Sequence, residues 1–146
     1  MSVRSEPMFP PEMPRPQVEA LTKPFWDAAR EGRLVIQRCT ACGTFRHLPH
    51  ALCAACQSPA HDWVQSTGRG TVFTYTIVTH SVHPATASRV PYNAVVVQLD
   101  DCGGVLVPGN VVDCPPADVR VGLPVEVVFE RIDDEITLPR FARRPC

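Results

Sequence analysis

Apolar and polar residues alternate with a period of two along most of the chain beyond residue 70, and with a helical period over one short stretch near its start. Between Thr71 and Thr79, the residues Phe73, Tyr75 and Ile77 alternate with Val72, Thr74, Thr76 and Val78, an aromatic and β-branched pattern that suits a pleated strand. Asn93 to Asp100 and Val105 to Val112 are Val-rich runs joined by Asp101, Cys102, Gly103 and Gly104, the composition of a hairpin turn. Val125, Val127 and Phe129 then alternate with Glu126, Val128 and Glu130, and beyond Asp133 and Asp134 a last run covers Ile136 to Phe141. Short antiparallel strands packed into residues 67–146 predict a closed OB-fold barrel, because closure hides edges that would otherwise pair with other chains; a small open sandwich is the alternative.

Upstream the period changes. Val18, Leu21, Phe25, Ala28 and Ala29 recur at helical spacing, with Thr22 as N-cap before Pro24 and Gly32 as the stop, which predicts one short amphipathic helix. Leu34 to Arg38 and Thr44 to Leu48 read as strands on either side of a cysteine pair, like the arms of a zinc ribbon, and Gln57 to Gly70 reads as a boundary marked by Gly68 and Gly70. Residues 1–17 carry Pro7, Pro10, Pro11, Pro14 and Pro16 and no apolar period, which predicts a flexible tail. The expected fold is therefore mainly β: tail 1–17, helix plus zinc ribbon 18–66, and OB-fold barrel 67–146.

The strongest chemical signal is a pair of C-x-x-C knuckles, Cys39 with Cys42 and Cys53 with Cys56. Each knuckle sets two thiolates on one side of a tight turn, and Gly43 can adopt the positive φ that the turn requires. Four thiolates close a tetrahedron around one Zn²⁺, leaving no coordination position for water or substrate, so the metal is structural. A module of this size buries too little apolar surface to fold alone, and metal binding supplies the deficit. An iron centre of the same four thiolates, used for electron transfer, is the rival.

Composition narrows the remaining classes. With 146 residues and a net charge of −1, the chain is one or two domains and lacks the broad positive field of a nucleic-acid binder. No apolar run reaches the roughly 18 residues of a membrane span, and the Pro-rich start has no signal-peptide core, so the expected place is the cytoplasm. There, seven cysteines point to metal or free thiols rather than disulfides, and Cys102, Cys114 and Cys146 read as ordinary reduced cysteines. His80 and His83 share no face on a strand or loop, and His47, His50 and His61 lie near an already complete site. No nucleophile, acid or base pattern stands out. Arg30, Arg33, Arg38 and Arg46 flank the first knuckle, and Phe25 and Trp26 lie beside the first two. These aromatics form either a nucleotide- or partner-binding surface or, equally, helix-to-barrel packing.

The run Pro24, Phe25, Trp26, then Gly32, Leu34, the two knuckles, and Gly68, Gly70, Thr71, Val72, Phe73, Thr74, Tyr75 and Thr76 resembles the acyl-CoA-associated family of rubredoxin-like zinc ribbon plus OB fold, long catalogued as a domain of unknown function. Pro91 and Tyr92 before a Val-rich strand, and Gly122 before Val125 to Phe129, extend the resemblance over residues 20–142. Ala54 stands where that family favours proline, and Gln57 where it favours glycine. The resemblance implies no catalysis by this chain alone. It implies an accessory subunit docked on a thiolase-like (lipid-transfer-protein-like thiolase or aldolase) or MaoC-like hydratase enzyme, helping to hold or channel a CoA thioester in lipid, sterol or polyketide metabolism. Arg30, Arg33, Arg38 and Arg46 can then meet the phosphates of CoA, and Phe25 and Trp26 the ligand or partner. A zinc-ribbon and OB protein for single-stranded nucleic acid is the alternative, weakened by the low charge and the 7% aromatic content.

Overall fold

A computed structural model describes residues 3–4 and 6–145. Helix α1 covers Lys23–Arg30, shorter than the period suggests, because Pro24 has no N–H to carry the ladder further upstream. Thr22 holds the N-cap position, but its hydroxyl bonds to the Glu19 carbonyl instead of to the helix. The helix ends as its composition predicts. Gly32 takes φ +74°, and the amides of Gly32 and Arg33 donate to Ala29 and Ala28. Phe25, Ala28 and Ala29 form its buried face.

Three strands make the ribbon: β2 (Val35–Cys39) lies between β3 (Phe45–Arg46) and β4 (His61–Gln65), all antiparallel. The segment read as a boundary therefore contains a strand. β4 has little apolar alternation, and its pairing is fixed by neighbours: Asp62 faces Arg38 and Trp63 faces Gln37 across the ladder.

The barrel comprises β5 (Arg69–Val78), β6 (Tyr92–Leu99), β7 (Leu106–Gly109), β8 (Val111–Val112), β9 (Pro124–Arg131) and β10 (Thr137–Arg143), in the order β7-β6-β5-β9-β10-β8. The run expected as one strand, Val105 to Val112, is broken at Asn110: β7 pairs with β6, and β8 pairs in parallel with β10. That change of partner closes the sheet on itself as an OB fold. Inward residues of all strands, among them Val72, Val97, Val107, Val111, Val125, Phe129 and Phe141, fill one core. On β5 a bulge between Val72 and Thr74 displaces Phe73 from the expected alternation and leaves it 51% exposed. Gly68, with φ +77°, has no room for a side chain, since a Cβ there would lie 2.2 Å from Val127. The glycine read as a boundary marker is a crossing point of the chain over β9.

The N-terminal segment departs most from expectation. It is docked, with no sign of a loose tail among its described residues. Val3–Arg4 form β1, which pairs in parallel with Phe129 and Glu130 of β9, and Arg4 reaches Asp113 at 2.9 Å. Phe9 is 8% exposed, edge-on to Tyr92 at 5.0 Å, with the Arg140 guanidinium over its ring at 5.6 Å. The Met8 amide donates to Glu130. Glu130 and Arg140 form a buried ion pair at 3.0 Å, and Arg140 also donates to Asn110, whose amide donates at 2.6 Å to the Asn93 carbonyl. Asn93 completes the network by exchanging two hydrogen bonds with the Val111 backbone, at 2.7 and 2.8 Å.

Phe9→Ala is expected to cost about 3 kcal/mol in urea unfolding, the value for an aromatic ring removed from a packed site. A detached tail would give no change.

Candidate metal centre and the ribbon–barrel cleft

The four knuckle cysteines converge. Their Sγ atoms all lie within 4.8 Å of one another, with Cys39 to Cys56 and Cys42 to Cys53 both at 3.6 Å. A zinc tetrathiolate with bonds of roughly 2.3 Å has sulfur–sulfur edges of about 3.8 Å, so the set fits one Zn²⁺. Each knuckle is tied by two backbone bonds: Cys39 N to Thr44 O and Gly43 N to Cys39 O, both 2.8 Å, then Cys53 N to Ser58 O at 3.0 Å and Gln57 N to Cys53 O at 2.8 Å. Gly43 and Gln57 occupy equivalent corners with φ +79° and +65°. Glycine takes this conformation freely, whereas an L side chain is strained by roughly 1 kcal/mol or more.

The thiols differ. A hydrogen bond with the Thr44 hydroxyl, aided by the Thr44 amide, brings Cys42 down to about 6, and the Cys42 amide lowers Cys39. At Cys56 the Ser58 amide pulls downward, but the proton shared with Cys39, together with burial, pushes the thiol up to about 12. A divalent cation is what allows all four to ionise together.

The remaining cysteines stay apart from this centre. Burial raises Cys102 to about 11 beside Asp101, and burial also raises Cys114. Cys146 lies outside the described residues. His83 accepts from the Ala85 amide, His61 bonds with the Pro59 carbonyl and His80 is exposed, so none of the three joins the metal cluster.

The arginines nominated from sequence do not form one patch. Arg30 is exposed at the end of α1, Arg33 pairs with Glu31, and Arg38 pairs with Asp62 at 2.6 Å and holds that carboxyl below the usual range. Arg46 donates to Gln37 Oε1 at 2.8 Å and to the His50 carbonyl at 2.9 Å. Phe25 is buried and Trp26 half-buried, edge-to-face at 5.1 Å, with the His47 ring 5.4 Å from Phe25. Together they form one wall of a cleft of about 260 Å³ between α1, the ribbon loop His47–Leu48–Pro49, and strands β7 and β10. Sequence reasoning missed the other walls, Pro49, Pro108 and Pro139. A signal was present for Pro108 and Pro139, since a proline inside a strand marks a place where one ladder donor is missing.

Comparison with known proteins agrees with this architecture. The profile of the ChsH2 rubredoxin-like zinc ribbon domain matches residues 26–62, and that of the ChsH2 C-terminal OB-fold domain matches residues 63–130. The chain belongs to the ChsH2/DUF35 family. A DUF35 domain-containing scaffold protein of Methanocaldococcus jannaschii is 32% identical over 70% of this chain and 71% of its own length. A probable enoyl-CoA hydratase alpha subunit of Thermomonospora curvata is 38% identical over 88% of this chain but 39% of its own length. The 3-oxo-4,17-pregnadiene-20-carboxyl-CoA hydratase alpha subunit of Mycobacterium tuberculosis is 34% identical over 82% of this chain and 37% of its own. This DUF35 chain thus spans about two fifths of the length of those hydratase subunits. Among solved structures, the Ltp2-ChsH2(DUF35) aldolase superposes with a TM-score of 0.78 at 36% identity, covering 88% of this chain and 98% of that one. A DUF35 protein of unknown function from Sulfolobus solfataricus shares the fold alone, at 12% identity and a TM-score of 0.60 over 87% of each chain.

Two outcomes follow from the geometry. Gln57→Gly is expected to stabilise the zinc-loaded DUF35 chain by about 1 kcal/mol and to slow zinc loss to a chromogenic chelator, while Gly43→Ala does the reverse. Burial brings His47 down to about 4 from an ordinary 6.5, so the unfolded chain binds more protons between those pH values and stability falls as pH drops through that window. The loss reaches at most about 3 kcal/mol, and the difference between wild type and His47→Asn in urea melts at pH 7 and pH 4.5 isolates it from any effect of the thiols.

Proposed function

We propose that this chain is a non-catalytic accessory subunit that docks on an acyl-CoA enzyme, of the thiolase superfamily (lipid-transfer-protein-like thiolase or aldolase) or of the MaoC-like hydratase class, and assists binding or channelling of the CoA thioester. The observation that carries the reading is an apolar surface. From the cleft it continues across Pro108 and Gly109 onto the outer face of β5 and β6, where Thr74, Thr76, Ala94 and Val96 line a shallow depression free of charged side chains. Leu48 (59%), Tyr75 (41%) and Leu106 (39%) add exposed apolar area on the same elements. Surface of this kind on a small domain marks a partner site.

The four-thiolate centre supports the same reading, because a closed site holds the ribbon together and leaves no metal position for a reacting group. Cys102, protonated at neutral pH, is no nucleophile. The relatives called enoyl-CoA hydratase alpha subunit and Ltp2-ChsH2(DUF35) aldolase support that class of partner, and the one called a scaffold protein supports an accessory role. Of the nominated cations we assign the exposed Arg30 to CoA phosphates, since Arg33 is paired with Glu31 and Arg38 and Arg46 are engaged inside the ribbon.

Co-expression of the tagged chain with thiolase-superfamily and MaoC-like hydratase proteins of its own genome, followed by size exclusion, tests the reading. Co-elution with one of them is expected, and Val96→Lys, on the outer face, should weaken that complex by about 2 kcal/mol, roughly thirtyfold in Kd. A chain that elutes alone beside every candidate would remove the proposal.

A further inference from the structure

The cleft has a chemistry of its own. β7, paired with β6, and β10, paired with β8 from Phe141–Val111 onward, leave a gap between them, and α1 and the ribbon loop roof it. The only ionised side chain in its lining is Arg140, which Glu130 and Asn110 already engage. Burial keeps the His47 ring uncharged at neutral pH. Pro108 on β7, Pro139 on β10 and Pro49 on the loop each remove one backbone donor from the walls, which makes the cleft a poor template for an added peptide strand.

What remains is a mainly apolar pocket of about 260 Å³ walled by Phe25 and Trp26, its one charged side chain, Arg140, already paired. An apolar cavity of about 150 Å³ takes up benzene, so this one has room for a longer or ring-bearing hydrocarbon. It has no complement for a nucleotide or a pyrophosphate.

We infer that this cleft receives the apolar acyl end of a CoA thioester, leaving the charged CoA portion outside. The inference rests on the accessory role proposed above and names which half of the ligand this chain holds. Leu48 stands at the mouth, and Trp26 sets the width of one wall.

Calorimetric titration of the full, zinc-loaded chain with acyl-CoA thioesters from acetyl to octanoyl tests it, with free CoA as the baseline. Kd should fall about fourfold for each added methylene and then level off when the cleft is full. Leu48→Trp should move the plateau to shorter chains and Trp26→Ala to longer ones. Zinc content and circular dichroism equal to wild type certify both folds, and Leu48, being exposed, can change without disturbing the core. Equal affinity at every chain length, or a plateau that neither variant moves, overturns the assignment. A chain that co-elutes with its enzyme yet gives a flat series keeps the accessory role and loses the cleft; one that follows chain length but finds no enzyme keeps the cleft.

Discussion

The ion pair between Glu130 and Arg140 is the interaction on which the other parts of the barrel converge. The two side chains are only 2% and 11% exposed, and charges taken out of water are tolerable only when paired and hydrogen-bonded. Every partner that satisfies them is also a structural junction. The Met8 amide, bonded to Glu130, anchors the N-terminal strap; Asn110, bonded to Arg140, is the residue at which one barrel strand changes partner from β6 to β10. Phe9 covers the guanidinium on one side, and the cleft borders it on another. Removing either charge would strand the other, so strap, seam and cleft floor stand or fall together.

The metal centre governs the cleft through a second chain of contacts. β2 ends at Cys39, and two residues earlier the buried Gln37 accepts hydrogen bonds from Arg46 and from the His50 amide, which pins both ends of the loop carrying His47, Leu48 and Pro49. The ribbon is in turn locked to the barrel: Asp101 accepts from the Ser66 hydroxyl at 2.7 Å and the Thr67 amide at 2.8 Å, and Gly103 lies under the Phe45 ring. A closed metal site far from any reacting atom can therefore still decide whether an apolar wall is in place.

How much of this was legible in the sequence follows from the range of the forces involved. The knuckles, the helix stop at Gly32 and the inward valines of the barrel depend on local spacing, and the residues themselves declare them. β4 was hidden because Asp62 and Trp63 pair through side chains rather than through an apolar alternation. The strap was hidden because its order comes from an edge of β9 more than 120 residues away, as in the Met8 to Glu130 bond. The bulge at Phe73 broke a pattern that looked regular, since alternation cannot show where one strand gains a residue on its neighbour. Phe25 and Trp26 stand out in the sequence, but their shared cleft needs walls contributed by residues near 48, 108 and 139.

The prolines of that cleft bear on how a domain with an exposed apolar face stays available to a partner. An uncharged face such as that of Thr74, Ala94 and Val96, next to open strand edges, invites copies of the same chain to pair edge to edge. Here the edge strand β7 carries Pro108, β10 carries Pro139 on the stretch that runs past the two-residue β8, and the free side of β9 is already occupied by β1. Each proline takes one backbone donor out of such pairing while side-chain packing is left open. Contact with this face is then left to shape and apolar packing more than to strand addition.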